Sequence, residues 1–374
     1  MRTIVDATIW PLRAPLSHPI QTSFGQMSSR PALLLSLTDD AGRQGWGESW
    51  VNFPAWSLEV NTMVLFSLVK TLHYAPIDAD QVIHTLFAAI QPQIFQSSQL
   101  GPIYQALSAI HQALTDLALQ DEPSSIVMPV PVYASGIGPD AIDRHVEGAL
   151  KSGFTDVKIK VGFDSEKDRN NFLTACKIAG PGHVMVDANQ GWSRDSALHE
   201  VPWFIEHGAR WIEEPLLALD WEGYHMLERW ASHLASGENW LVEYLTVKES
   251  IPNVAILQPD LGKVGGFCGA RRLQDRLTGH FKTIAYHVLG TPVNHAAAVY
   301  GAQLTPSDVS LVEYDTNENP FHTAILTDWV IQNGLLYRGP RPGFGILVDE
   351  KQLSTLKVPA LEPWTRPFPI LNSH

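Results

Sequence analysis

Seven charged positions recur through the second half of this chain at nearly constant intervals. Lys160, Asp187, Glu213, Glu238, Asp260, His287 and Glu313 are separated by 27, 26, 25, 22, 27 and 26 residues. Each sits at or near the end of a short, largely apolar run: DVKIKV at 156–161, HVMVDAN at 183–189, ARWIEEP at 209–215, LASGEN at 234–239, VAILQPD at 254–260, KTIAYH at 282–287 and VSLVEYD at 309–315. With VPVYA at 130–134 they make eight strand candidates separated by helix-length segments. Eight alternating β and α units predict a parallel (β/α)8 barrel, whose strand ends deliver their side chains to one mouth.

The residue types at that mouth define a chemistry. Asp187, Glu213 and Glu238 are consecutive acids, and three crowded carboxylates repel unless a hard cation neutralises them. An all-oxygen set with room for water or substrate oxygens describes Mg2+. Neither a thiolate cluster nor an HExxH pattern offers zinc an alternative. Lys158 and Lys160 lie two apart on a strand and share a face. Two adjacent ammonium groups disfavour each other's charge, so a neutral, basic lysine is expected there. Asp260 and His287 end neighbouring strands across the mouth, where a carboxylate would fix the imidazole tautomer and raise its basicity.

The elements that carry these residues divide the chain into three expected parts. Residues 1–126 read as an α+β capping domain. Strands are expected at Thr3-Ile4-Val5, Ala32–Leu37 and Gly45–Glu48, and helical spacing follows in Leu65, Leu68, Val69 and Leu72 and in Ile103, Leu107, Ile110 and Leu114. Residues 127–345 form the barrel, and residues 346–374 return to the capping domain. Of 374 residues, 45% are hydrophobic and 17% charged, with 12 tryptophans, which excludes disorder. With 26 basic and 39 acidic side chains the net charge is −13. That field disfavours nucleic acid and anionic membranes, and leaves room for a small anionic substrate if the site carries its own cations. Two cysteines, Cys176 and Cys268, give no disulfide framework. The opening MRTIVDATIWPLRAP lacks the apolar run of a signal peptide, and no 18-residue apolar stretch occurs, so a cytoplasmic protein is expected.

In combination, GWGE at 45–48, KIK, DAN, EEP, GEN, QPD, the histidine strand and LVEYD resemble the enolase superfamily, and within it the mandelate racemase subgroup, over nearly the whole chain. The resemblance implies Asp187, Glu213 and Glu238 as Mg2+ ligands and Lys160 as one acid/base assisted by Lys158. His287 is then the second, oriented by Asp260, with Glu313 bonded to the substrate carboxylate or enediolate and Asn189 beside metal and substrate. It also implies two lid loops that choose the substrate, Thr22–Gly25 and Trp50–Phe53, with Thr22 and Asn52 as substrate contacts, and a homo-oligomer. One departure stands out: the family's WDxxGKxxGxP junction reads ALTDLALQDEPSSIVMPVP here, without that tryptophan or those glycines.

The reaction implied is Mg2+-dependent removal of the proton α to a carboxylate. HVLGTP at 287–292 and EYDTNENPF at 313–321 look closest to members acting on acid sugars. Dehydration of an aldonate or aldarate to a 2-keto-3-deoxy acid is therefore expected first, with aldarolactone cycloisomerisation and 2-hydroxy-acid epimerisation as alternatives. Two readings from other classes compete. Gly262, Gly265, Gly266 and Gly269 would suit the phosphate cradle of a phosphosugar enzyme, but a tight βα turn is the favoured explanation, since a phosphate site would leave the acid trio unexplained. A non-catalytic scaffold barrel would have no reason to keep the lysines, the histidine and the acid trio.

Overall fold

The computed structural model describes residues 2–22, 25–121, 128–245, 251–305 and 310–368. The expected 126/127 boundary, the EPSSIV part of the atypical junction and Ser23 and Phe24 of the first lid segment lie outside them, as does the Thr22 side chain.

Three antiparallel strands open the chain, β1 (Ile4–Thr22), β2 (Gly25–Asp39) and β3 (Gln44–Ser49), followed by α1 (Ser57–Val69), α2 (Ala79–Ser97) and α3 (Leu100–Leu119). The first strand continues far beyond its expected start, through Pro11 and Pro15, with a register break between Pro15 and Ile20. Proline fits there because β1 is an edge strand. Period-two alternation buries both faces of β2. Leu33, Leu35 and Leu37 pack with Leu58, Leu65, Leu107, Ile110 and Leu114 of the helices, whereas Leu34 joins Trp10, Leu12 and Trp46 against Val293, Phe321, Ile325 and Leu353. The GWGE glycines follow from the tight packing of β3 on α3. A Cβ on Gly47 would lie 1.9 Å from the Ala109 carbonyl oxygen, and one on Gly45 2.2 Å from that of Ala113.

The barrel runs β4 (Val130–Ile137), α4 (Ile142–Lys151), β5 (Val157–Lys160), α5 (Ser165–Ala179), β6 (Val184–Asp187), α6 (Arg194–Glu206), β7 (Ala209–Glu213), α7 (Trp221–Met226), β8 (Leu234–Ser236), β9 (Ile256–Leu257), α8 (Gly266–Arg276), β10 (Thr283–Tyr286), α9 (Pro292–Gln303) and β11 (Ser310–Asp315). All eight strands pair in parallel with their sequence neighbours, and β11 closes on β4, so the (β/α)8 expectation holds. Tyr133, Met185, Trp211, Ala235, Ile256 and Ala285 fill the interior, while the alternate residues, such as Val157, Ile159, Val186 and Ile212, face the helices. Lys160 pairs in register with Asp187, and Asp187 with Glu213, which sets three charged side chains in one layer above that apolar plug.

After the barrel come β12 (Ile325–Thr327), β13 (Val330–Gln332), β14 (Leu335–Tyr337), β15 (Ile346–Val348) and α10 (Glu350–Ser354). The β13–β14 hairpin pairs with the start of β4, as Leu336 with Val130. The chain then crosses to the first domain. Lys357 bridges Leu12, Leu361 and Phe368 join the core of α1, and Trp364 meets Phe66 edge-on with 5.3 Å between centroids. A fully buried Arg30 on β2 pairs with Asp315 at the end of β11 and donates to the Glu318 carbonyl at 2.8 Å. No helix among the described residues is long and apolar enough to cross a membrane.

Asp116 on α3 ties β3 to the segment at Phe344 that follows the barrel. Its carboxylate accepts from the Trp46 N–H at 2.8 Å and the Phe344 N–H at 2.6 Å. Burial pushes its pKa from 3.8 to about 7. The folded state therefore holds this proton more tightly than the unfolded chain, and the group's contribution to stability falls as pH rises from about 4 to about 7. Asp116→Asn should flatten that part of the pH–stability curve; an unchanged slope in urea denaturation across that range would contradict it.

Candidate active site

The C-terminal ends of β5 to β11 bring the charged residues together in one buried layer. Lys160 Nζ lies 2.5 Å from Asp187 Oδ2, and Lys158 Nζ lies 2.5 Å from Glu213 Oε1 and 3.0 Å from Glu313 Oε1. Opposite, His287 Nε2 is 2.8 Å from Glu238 Oε2, and its Nδ1 is 2.7 Å from Asp260 Oδ2. Because β5 and β10 stand across the closed barrel from each other, Lys160 and His287 flank the acid trio from two sides.

The electrostatics differ from the sequence expectation in one respect. Lys158 does lower the basicity of Lys160, as adjacent ammonium groups should, but the surrounding acids reverse the net effect. Burial disfavours their charge, but Glu213, Glu313 and Asp187 outweigh it, holding Lys158 well above and Lys160 above the ordinary range. The carboxylates outnumber the ammonium groups, and Coulomb attraction in a buried site is strong. Burial likewise opposes a charged His287, yet Glu238, Glu313 and Asp260 raise its pKa well above 6.5. Glu213 is pushed up to about 8 by burial and by Asp187, Glu313 and Glu238.

The backbone at the mouth is strained where it presents these groups. Asn189, Gln190 and Glu214 adopt left-handed φ values of 43°, 63° and 38°, uncommon for side-chain-bearing residues. Hydrogen bonds lock them: Gln190 N–H donates to the Glu214 carbonyl at 2.8 Å, and Glu214 N–H to that of Ala235 at 3.0 Å. Asn189 Nδ2 donates to Asp187 Oδ2 at 3.2 Å, which puts the expected metal-side asparagine beside its aspartate.

Three residues at the mouth, Gln258, Asn239 and Lys263, escaped the sequence reading, and Glu214 was read only as an acid at its strand end. Gln258 Nε2 donates to Glu213 Oε2 at 2.5 Å. Asn239 Nδ2 lies 2.9 Å from Glu214 Oε1 and 3.1 Å from Glu238 Oε1, and Glu214 itself is buried with its pKa raised well above 4.5 by burial and Glu238. Lys263 is a third lysine at the mouth and is buried, with Nζ 2.7 Å from Asn239 Oδ1 and 4.4 Å from the Trp50 ring centroid. Its signal was available: a lysine three residues beyond a strand-end aspartate. Asn52 sits in the buried loop after β3, but its amide donates to the Leu289 carbonyl, and Trp50 N–H donates to the Gly262 carbonyl at 3.1 Å. The second lid loop is thus docked on the barrel loops that carry Lys263 and His287.

The donor set fits a hard cation. Asp187, Glu213, Glu214, Glu238, Asp260 and Glu313 are six buried carboxyl groups facing two buried lysines, Lys158 and Lys263, the partly buried Lys160 and one imidazole. Oε2 of Glu313 is buried with no hydrogen-bond partner. A divalent ion among the oxygens of Asp187, Glu213 and Glu238 matches the ligand type and offsets the surplus charge. Outside the mouth, Asp80, His111 and Cys268 bring their potential ligand atoms within 4.8 Å of one another. There His111 Nδ1 accepts from the Cys268 N–H at 3.2 Å, which leaves the ring proton on Nε2, facing Asp80 at 3.2 Å. A metal-ligating histidine does the reverse, donating from its second nitrogen.

The glycines after β9 are not a phosphate cradle. Gly265 and Gly266 N–H groups both donate to Ser108 Oγ, at 2.9 and 3.0 Å, and a Cβ on Gly266 would lie 2.7 Å from that of His111. They let α8 pack on α3.

Comparison with known proteins agrees with this architecture. The Enolase C-terminal domain-like family model matches residues 141–352. A D-galactarolactone cycloisomerase from Agrobacterium fabrum is 29% identical over 371 residues, covering 92% of this chain and 96% of that protein. An L-talarate/galactarate dehydratase from Salmonella typhimurium is 27% identical over 217 residues, 57% of this chain and 52% of that one. The crystal structure of a racemase from Streptomyces coelicolor with bound magnesium shares the fold, with a TM-score of 0.79 at 24% identity over 95% of this chain and all of that one. The chain belongs to the enolase superfamily, as an enzyme of its mandelate racemase branch.

Proposed function

We propose that this enzyme removes the proton α to the carboxylate of an acid sugar and expels a β-oxygen, most simply as the dehydration of an aldonate or aldarate to a 2-keto-3-deoxy acid. The observation that carries the reading is the pair of bases flanking the acid trio, Lys160 on β5 and the Asp260–His287 dyad across the barrel. Loss of the α-proton places a second negative charge on the substrate carboxylate, an enediolate. A divalent cation held by Asp187, Glu213 and Glu238 supplies stabilisation of that developing charge. Lys158, its Nζ buried between Glu213 and Glu313, offers a fixed cation to the same oxygens, so the stabilisation is organised before the reaction begins. Glu313, with its free buried oxygen, bonds a protonated substrate oxygen. With the cation's charge offsetting the acids that hold their protons, one of Lys160 and His287 would be neutral and take the α-proton, and the other, still protonated, would give its proton to the leaving oxygen, a hydroxyl in dehydration. A ring oxygen leaves if the substrate is a lactone; the full-length likeness to a galactarolactone cycloisomerase favours this as the second reading. The docked loop at Trp50–Phe53 and the Thr22–Gly25 segment are proposed to select among such acids.

Two measurements test this reading. Chelator-stripped protein should gain thermal stability on addition of Mg2+, by about 2.7 kcal/mol at a hundred times the dissociation constant. Asp187→Asn or Glu213→Gln should lose most of that gain; full turnover in excess EDTA would refute a metal role.

The bases should fail differently. With galactarate and its lactone in D2O, Lys160→Ala and His287→Asn should each lower turnover by about 10²- to 10⁴-fold. Whichever variant retains the proton-abstracting base should still exchange the substrate α-proton for deuterium, and the other should not. Near-wild-type turnover by either variant would remove it from the mechanism.

A further inference from the structure

The capping domain reaches His287 through a buried chain of amides whose orientation is set at the backbone. Glu48 N–H on β3 donates to Gln112 Oε1 at 3.0 Å. Gln112 Nε2 donates to the Leu261 carbonyl at 3.0 Å and to Asn294 Oδ1 at 3.0 Å. Asn294 Nδ2 donates to Asp260 Oδ1 at 3.0 Å, beside the Gly262 N–H at 2.7 Å, and Asp260 Oδ2 meets His287 Nδ1. Gln112, Asn294 and Asp260 are each at most 1% exposed. Neither amide can turn over: rotation of Gln112 would set its Nε2 against the Glu48 N–H, and rotation of Asn294 would set its Oδ1 against the Asp260 carboxylate. The Glu48 side chain completes the clamp. It accepts from the N–H and hydroxyl of Thr291 and from the Asn294 N–H at 2.7–3.0 Å, tying the first turn of α9, and so Asn294, to β3.

We infer that Gln112 and Asn294 are positioning residues for the Asp260–His287 dyad, so that docking of the capping domain, through β3 and α3, sets the aim of one catalytic base. This rests on His287 acting as a base. A buried carboxylate deprived of a donor pays its full desolvation penalty or turns to find another partner, and an imidazole that follows it loses its aim.

The test uses the full chain supplied with Mg2+ and labelled with 15N-histidine. The His287 Nδ1–H signal, assigned by its disappearance in His287→Asn, reports the dyad without substrate. Asn294→Ala removes the donor. Gln112→Glu keeps the shape but offers Asn294 only acceptors, which forces its amide to reverse. Both should shift or broaden that signal at a temperature where the variant is still folded, and both should lower the thermal midpoint, because a buried polar group is left without its donor. With galactarate or its lactone, both should lower kcat by about 10- to 100-fold with KM within about threefold, and should share the α-proton exchange pattern of His287→Asn rather than that of Lys160→Ala. An unshifted signal in a folded Asn294→Ala variant would overturn the positioning role, as would kcat within twofold of wild type where His287→Asn is impaired. A shifted signal together with wild-type turnover by His287→Asn would instead overturn the base assignment and leave the positioning intact.

Discussion

A surplus of buried negative charge at the barrel mouth is the constraint around which this structure is arranged. Bringing one carboxylate into a protein interior costs several kcal/mol unless partners meet it, and six are gathered here. Three lysines and a histidine satisfy some of them, and the remaining imbalance appears as the raised pKa of Glu213 and Glu214 and of the cations facing them. A core built for stability would place apolar residues in that layer, as the layer beneath does with Met185 and Trp211. Charge retained in a buried, strained and expensive setting is charge in use.

That setting depends on register. Lys160, Asp187 and Glu213 meet because β5, β6 and β7 pair without a shift at their C-terminal ends, and a one-residue slip would turn all three toward the helices. The apolar plug fixes the register from below. From above, the capping domain does comparable work: Arg30 on Asp315, Asn52 on the Leu289 carbonyl and Glu48 on the first turn of α9 fasten it to loops that follow catalytic strands. The cap is thus part of the site's skeleton as well as its cover.

Much of this was legible in the sequence because periodicity and chemistry coincide. Strand ends about 26 residues apart, each carrying a charge, admit few architectures, and the carboxylates and lysines could be read from type and position alone. What stayed hidden was pairing. No spacing rule says that Asn294, seven residues beyond His287, turns back to Asp260, or that Gln112 on a capping helix reaches Asn294 and the Leu261 carbonyl. Lys263 was masked by the glycines around it, and those glycines were read as a loop device when they serve the contact between α8 and α3. The basicity of the lysines was misjudged for a related reason: the sequence shows that they are neighbours, and only three dimensions show that acids surround them.

The same contrast separates what the superfamily chemistry requires from what this chain adds. Proton abstraction next to a carboxylate requires acids for a cation and a base on each side, and these stand on barrel strands, whose positions the hydrogen-bonded sheet dictates. Aiming those bases is a finer demand. Lys160 is aimed by its own strand, since its Cα is locked in the ladder with Asp187. His287 lies one residue beyond β10, where its N–H still donates to the Pro259 carbonyl at 3.2 Å, and side chains complete the orientation of its ring. The Asp260 bond supplies it, and Asp260, itself beyond β9, needs anchoring in turn by Gly262 and Asn294. Lys160 therefore inherits its geometry from the barrel, whereas His287 takes its own from loops that are tied to the capping domain.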